Sequence, residues 1–190
     1  MVTFDNGNAA TGVTESGGRY FFAVWPEGQV RGAMFEWARS VQADAPARQV
    51  AAANLHITLA FLGELAPPQV SAARRVGAET RWNEATLTFD RIGYWRRSRI
   101  VWAGSREGSA SLSALAEDLR GRLRRLGFRI EERPFVPHVT LYRKAHRMPR
   151  WPRVRLEWRI EEFCLVESRL ATDGTRYSVV DRWSANDDMK

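Results

Sequence analysis

Short apolar runs that end at Gly or Pro alternate along the chain with longer amphipathic segments. The aromatic run 20–25 stops at Pro26, and the run 55–62 stops at Gly63. Runs of this length, bounded in this way, are typical of buried strands. The same pattern predicts further strands at 85–92, 100–103, 128–131, 139–142, 158–167 and 177–183.

The amphipathic segments repeat their apolar residues at helical spacing. Residues 30–41 place Val30, Met34, Trp37 and Val41 on one face, and 69–82 follows two prolines. The strongest helical pattern is 109–126, which ends at Gly127, a residue favoured just after a helix. Its shared face consists of Leu112, Leu115, Leu119, Leu123 and Leu126.

One four-residue motif occurs twice, as HITL at 56–59 and as HVTL at 138–141. Each copy lies in a predicted strand with a helical segment beside it, so the chain reads as two similar halves. We predict an α+β, bilobal, duplicated fold. Each of its two pseudo-symmetric lobes would be an antiparallel sheet with helices outside, and a central cleft would carry both motifs. Residues 1–18 are expected to form a disordered leader, 19–184 a single bilobal domain and 185–190 a tail.

The composition of the chain indicates which partners it could bind and where in the cell it would be found. The 190 residues contain 29 Lys plus Arg against 22 Asp plus Glu, a formal charge of +7, which suits a polyanionic partner. No run of 18 apolar residues or signal-peptide pattern is present, so we expect a cytoplasmic protein with no membrane contact. Its one cysteine, Cys164, lies in an apolar run that indicates core packing.

The repeated motif carries the candidate chemistry. Alternate residues of a strand share a face, so His56 and Thr58 would point together, as would His138 and Thr140. Two such strands across a cleft would surround one small polar group with two imidazoles and two hydroxyls. Imidazole titrates near pH 6.5, which allows one general acid and one general base, while threonine donates to phosphate oxygens. Phosphodiester cleavage without a metal needs this set.

Two other interpretations of the motif remain. Each copy alone could be an ordinary strand fragment, but chance placement on two of three histidines is rarer than about one in ten thousand. The second interpretation is a zinc site, but neither motif has the carboxylate or third histidine that catalytic zinc requires.

Other residues could bind the rest of the substrate. Arg143 is a candidate phosphate ligand if turn geometry brings it to the cleft; otherwise it is a solvated arginine. The basic segment 143–155 interleaves cations with Tyr142 and Trp151, which suits RNA but also a plain surface loop. His146 lacks the Thr and Leu partners and is assigned to that loop. Tyr20, Phe22 and Phe61 are candidate platforms for base stacking.

In these features the sequence resembles the two-histidine (2H) phosphoesterases, and within them the LigT-like RNA 2',3'-cyclic phosphodiesterases of the 2'-5' RNA ligase family. The resemblance rests on both HxTL motifs in their contexts NLHITLAFLG and FVPHVTL, on RYFFAVWP near the start, and on VWAG and FCLVES later. It covers roughly residues 19–184.

The resemblance implies metal-independent hydrolysis of RNA 2',3'-cyclic phosphate ends to 2'-phosphates, with no cofactor. By position His56 would be the proton donor and His138 the proton acceptor, while Thr58 and Thr140 would hold phosphate oxygens. The expected partners are RNA ends, tRNA fragments among them, and the expected assembly is a monomer. Reverse 2'-5' ligation is also implied. The alternatives are a module that binds RNA ends or nucleotides without catalysis, and a 2H phosphodiesterase acting on 2'-5' oligonucleotides or cyclic ADP-ribose phosphates.

Overall fold

The computed structural model describes residues 18–40, 47–148, 155–171 and 174–185. Three α-helices occur within them: α1 (Gly28–Ser40), α2 (Pro67–Glu79) and α3 (Ala110–Arg125). The strands are β1 (Arg19–Val24), β2 (Arg48–Gln49), β3 (Ile57–Glu64), β4 (Ala85–Phe89), β5 (Arg91–Trp95), β6 (Ile100–Gly104), β7 (His138–Arg143), β8 (Leu156–Ile160), β9 (Glu162–Ala171) and β10 (Gly174–Ser184).

Two four-stranded antiparallel sheets organise the molecule. The first sheet has the order β10-β9-β1-β3 and the second the order β2-β7-β6-β5, while β4 and β8 form a separate pair. The first HxTL motif enters β3 and the second opens β7, and these two strands contact each other. The α+β prediction is therefore confirmed, with one motif in each sheet.

The helices bury the faces of the sheets that lie opposite the histidines. The leucines predicted to share a face of α3 (Leu112, Leu115, Leu119 and Leu123) are at most 2% exposed. The fifth, Leu126, is 51% exposed because it caps the helix. One continuous apolar cluster joins these leucines to residues of both sheets, so the lobes share a core.

Cys164 belongs to a smaller apolar cluster on the opposite face of the first sheet, as its predicted core role requires. It is 1% exposed, donates to the Ala23 carbonyl at 3.4 Å, and burial raises its pKa to about 12. A thiol in this setting stays protonated and inert.

Several sequence predictions differ from the structure. The predicted strand 128–131 is irregular, because the amide N–H of Phe128 donates to Leu123 O and completes the C-terminal cap of α3. The predicted strands 85–92 and 158–167 each divide into two, at Asp90 and at Glu161. The short strand β2 was not predicted. The leader before Gly18 and the tail after Ala185 lie outside the described residues.

None of the three described helices is both long enough and apolar enough to cross a lipid bilayer.

Candidate active site

Each HxTL motif contains a β-bulge at its leucine. Along β3 the residues paired with β1 step from Thr58 to Ala60 and leave Leu59 unpaired; along β7 the residues paired with β6 step from Thr140 to Tyr142 and leave Leu141 unpaired. An extra residue in a strand shifts the phase of its side-chain alternation. The two motifs therefore share a local backbone distortion as well as a sequence.

The bulge determines which residue follows the threonine on the histidine face. Leu59 and Ala60 are both buried, and Phe61 emerges at 53% exposure on the same face as Thr58. Likewise Leu141 and Tyr142 are buried and Arg143 is exposed. The bulge thus brings Arg143 to the face of His138 and Thr140, whereas simple alternation would put it on the opposite face with Leu141. Phe61 holds the equivalent position in the first lobe.

The carbonyl of each bulged leucine accepts a hydrogen bond from outside the strand pair that contains the bulge. Leu141 O accepts from Val50 N at 2.9 Å, and Leu59 O accepts from the Nε of Arg120 at 3.0 Å. Arg120 is 7% exposed and also donates to Arg133 O at 3.1 Å, in the segment that leads to His138. Its guanidinium carbon lies 5.5 Å from the ring centre of Phe135. One buried arginine thus joins the first motif to the approach of the second.

The two histidine rings are oriented in the same way. The Nδ1 of His56 lies 2.8 Å from Asn54 O, and the Nδ1 of His138 lies 2.8 Å from Val136 O. Because a carbonyl oxygen only accepts, each Nδ1 must carry its proton and donate. Each Nε2 is therefore the atom that can take up or release a proton toward the cleft.

Aromatic rings surround both imidazoles. Trp25 stacks on His56 with ring centres 4.7 Å apart and planes at 12°, and Phe21 and Tyr177 lie at 5.0 and 5.4 Å. Around His138, Trp95 makes an edge contact at 4.5 Å, with Trp102 at 6.3 Å. These contacts fix the rings and keep water from their flanks.

Burial makes both imidazoles harder to protonate. The pKa of His56 falls to about 4, chiefly through burial and further through the positive charges of Arg143 and His138. Burial also lowers the pKa of His138, against the bond from its Nδ1 to Val136 O. Arg143 and His138 lie in the second sheet, yet both are close enough to act on the charge of His56.

The structure brings together most of the predicted site residues. His56 immediately precedes β3, which carries Thr58 and Phe61, while His138, Thr140 and Arg143 lie on β7, which contacts β3.

Two of the predicted stacking platforms do not fit. Phe22 is 0% exposed in the main core, so its assignment as a base platform is wrong. Tyr20 packs on the edge of that core and donates its hydroxyl to Glu167 at 2.9 Å, which leaves no role in the cleft.

Sequence reasoning missed the aromatic walls of the two imidazoles, although one signal was present. Trp25 alternates with Phe21 and Ala23 along β1, which places the three on one face. Tyr177, Trp95 and Trp102 come from strands that only the sheet order brings near the motifs.

Within the four described ranges no three His, Cys, Asp or Glu residues come close enough to hold an ion.

Comparison with known proteins gives consistent matches over most of the chain. A family model described as LigT like phosphoesterase matches residues 24–102 and 104–177. The RNA 2',3'-cyclic phosphodiesterase of Escherichia coli (strain K12) is 38% identical over 168 residues, covering 87% of this chain and 96% of that protein. The enzyme of that name from Thermus thermophilus is 33% identical over 178 residues, covering 87% and 89%.

Solved structures give the same result. The crystal structure of E. coli LigT complexed with 3'-AMP superposes with a TM-score of 0.83 at 36% identity, covering 88% of this chain and 98% of that chain. The crystal structure of a protein described only as a phosphoesterase reaches a TM-score of 0.84 at 36% identity, covering 89% and 98%.

Proposed function

Because the chain belongs to the LigT-like phosphoesterase family, we propose that it is an RNA 2',3'-cyclic phosphodiesterase. The observation that carries this is the paired geometry of the motifs. The two imidazoles stand at the starts of two contacting strands, each donates its Nδ1–H to a backbone carbonyl and so leaves Nε2 available, and each has a threonine two residues further along. Relatives named for this activity match nearly their whole length.

We infer that His56 donates the proton and His138 accepts it. This assignment follows the positions of the two histidines in the family's paired motifs, because burial lowers the pKa of both imidazoles and does not separate donor from acceptor. His138 Nε2 would take a proton from water as the water oxygen bonds to phosphorus. His56 Nε2 would protonate the 3'-oxygen as its bond to phosphorus breaks. The products are a 2'-phosphate and a 3'-hydroxyl, and solvent exchange restores both histidines.

The substrate itself supplies part of the electrostatics. With a pKa of about 4, His56 is neutral at pH 7 in the free protein. A bound cyclic phosphate carries one negative charge, which favours the imidazolium and raises that pKa. Proton uptake would therefore accompany binding of the phosphate.

The remaining cleft residues would bind the phosphate and the terminal base. Thr58 and Thr140 would donate to the non-bridging oxygens, with Arg143 compensating the charge that develops on them. Phe61, exposed at the position equivalent to Arg143, offers a ring on which the terminal base could stack. These assignments rest on the common face of the bulged strands.

The proposal also covers the substrates, the assembly and the location. The substrates would be RNA fragments with cyclic ends, tRNA fragments among them, and the protein would act on them as a monomer in the cytoplasm. Ligation through a 2'-5' linkage would be the reverse reaction, in which a 5'-hydroxyl replaces water. Hydrolysis of 2'-5' oligonucleotides or cyclic ADP-ribose phosphates would use the same histidines on another substrate.

The decisive experiment is product analysis on a short RNA with a 2',3'-cyclic end. We expect a 2'-phosphate product, and His56→Ala or His138→Ala should each lower kcat by about 10²–10⁴-fold. The matched control is His146→Ala, which removes the exposed third histidine and should leave turnover unchanged.

Three outcomes would contradict the proposal in different ways. Full activity in either variant would remove the histidines from catalysis. A 3'-phosphate product would mean that the proton goes to the 2'-oxygen, which would overturn the roles given above. Tight binding without any product would favour the non-catalytic module instead.

A further inference from the structure

The two sheets carry very different charge. The strands of the first sheet contain four basic residues (Arg19, Arg169, Arg176 and Arg182) and four acidic residues (Glu64, Glu162, Glu167 and Asp181). The strands of the second sheet, with the turn 96–99 and the segment 144–148, contain eight Lys and Arg residues and no acidic residue. These eight are Arg48, Arg91, Arg96, Arg97, Arg99, Arg143, Lys144 and Arg147. The positive field of the described molecule is therefore concentrated on the lobe of His138.

The cations at one end of this sheet are exposed and lack acidic partners. We call residues 96–99 and 143–144 the basic surface. Among the described residues no carboxylate forms an ion pair with Arg96, Arg97, Arg99 or Lys144. Some arginines elsewhere do have acidic partners, such as Arg74 with Asp181. Unpaired cations held close together repel one another unless an anion binds.

Backbone conformation shows that these side chains are kept in unfavourable positions. Within the described ranges, Arg99 (φ 54°) and Lys144 (φ 61°) are the two non-glycine residues with left-handed φ. Such positions favour Gly or Asn, because the Cβ of other residues crowds the backbone. The two segments are also tied together, since Ala145 N donates to Arg99 O at 3.0 Å and Tyr94 donates its hydroxyl to Ala145 O at 2.9 Å.

The basic surface is continuous with the candidate active site. Trp95 immediately precedes Arg96, is 37% exposed, and its ring lies 4.5 Å from that of His138. Along β7 the chain runs from His138 to Arg143, a span of roughly 17 Å at strand spacing. The 96–99 turn adjoins the Arg143 end of β7, so a strand must extend several nucleotides beyond the reactive phosphate to reach the turn.

We propose that the basic surface binds the phosphate backbone of the RNA strand on the 5' side of its cyclic end. The inference rests on the proposed function, because it needs a cyclic end held between His56 and His138. The strand would leave the cleft past Trp95 and follow the arginines of the 96–99 turn. The enzyme would then favour oligonucleotides over mononucleotides without reading their sequence.

The test compares two substrates that share the same reactive end. One is a mononucleotide 2',3'-cyclic phosphate and the other is a six-nucleotide RNA ending in that nucleotide. The variant is Arg96→Gln/Arg97→Gln/Arg99→Gly, in which the glycine removes a charge and suits the left-handed backbone. We expect an unchanged or raised Tm, unchanged kinetics on the mononucleotide, and a KM for the hexamer raised about tenfold or more with kcat preserved.

Salt dependence supplies a second readout. Each ion pair between an arginine and a phosphate of a single strand contributes about 0.7 to the slope of log KM against log salt, so the slope for the triple variant should be smaller by about 2. The matched control is Arg75→Gln/Arg81→Gln/Arg125→Gln, which removes the same charge from exposed positions on and beside α2 and α3. It should behave as the wild type.

The outcomes separate the inference from the proposed function. Equal hexamer kinetics in the wild type and the triple variant would overturn the inference while leaving the hydrolase intact. Equal effects in the control would mean that net charge, and not this surface, attracts RNA. Failure to hydrolyse either substrate would overturn the proposed function itself.

Discussion

Replacing Arg120 by methionine should destabilise the protein far more than an ordinary loss of surface charge. The side chain of Arg120 is 9% exposed, and its guanidinium donates to Leu59 O and Arg133 O while contacting Glu117 at 3.3 Å. Methionine fills a similar volume without any donor. Two carbonyls would then lose a charged partner.

The magnitude follows from these hydrogen bonds. A hydrogen bond from a charged donor contributes about 1.5–3 kcal/mol, and an unsatisfied buried carbonyl costs about 1–3 kcal/mol. Relaxation and water entry reduce the sum, so we expect a loss of about 3 kcal/mol in the free energy of unfolding. For a chain of this size that corresponds to a fall in Tm of roughly 6–12 °C.

The assay is urea unfolding monitored by tryptophan fluorescence, with Arg122→Met as the control. Arg122 lies two residues further along α3, pairs with Asp118 at 2.8 Å and is 32% exposed, so its loss should cost about 0.5 kcal/mol or less. The unfolding midpoint of Arg120→Lys should be close to that of Arg120→Met, because one ammonium group cannot replace the several donors of the planar guanidinium. Equal midpoints for Arg120→Met and Arg122→Met would refute the reasoning.

Three further predictions concern the cleft. The proposed active form carries a proton on His56, whose pKa in the free protein is about 4, and none on His138, whose pKa is also lowered. The fraction of protein in that form shrinks as the pH rises, so kcat/KM should fall about tenfold per pH unit above pH 7. A flat profile from pH 7 to 9 would contradict this. Thr58→Val and Thr140→Val should each lower kcat/KM about 10–100-fold, whereas Thr58→Ser and Thr140→Ser should keep most of the activity. Equal effects of the Val and Ser variants would exclude a role for the hydroxyl in catalysis. Dialysis against EDTA should leave turnover unchanged, and restoration by Zn²⁺ of lost activity would overturn the metal-independent mechanism.

The chemistry of the site was more predictable than its geometry. The pairing of His56 with Thr58 on one strand face follows from alternation, and the repeated motif identifies both histidines. The position of Arg143 does not follow, because the bulge at Leu141 depends on hydrogen bonds from other strands and shifts the phase by one residue. The helical stripe of α3 was predicted well because its leucines repeat within one continuous segment.

Predictions failed where a residue could satisfy two patterns. Phe22 lies in β1, a strand flanked on both edges and packed on both faces, so the sequence gives no polar side from which to orient it. Residues 128–131 alternate like a strand, yet the amide of Phe128 is already bonded to α3. The burial of Phe22 and the irregular backbone of 128–131 both depend on contacts with other elements, which the local sequence does not show.

The order of strands in the first sheet has a consequence for the timing of synthesis. β1 and β3 leave the ribosome early, but the other edge of β1 is covered only by β9, which follows about 100 residues later, or 5–20 s at ordinary rates of translation. The wall that Tyr177 forms against His56 arrives later still, after the second histidine has been made. The lobe that begins first is thus finished last. A nascent chain would hold both imidazoles before the aromatic wall around His56 is complete, and acquire activity toward RNA only near the end of its synthesis.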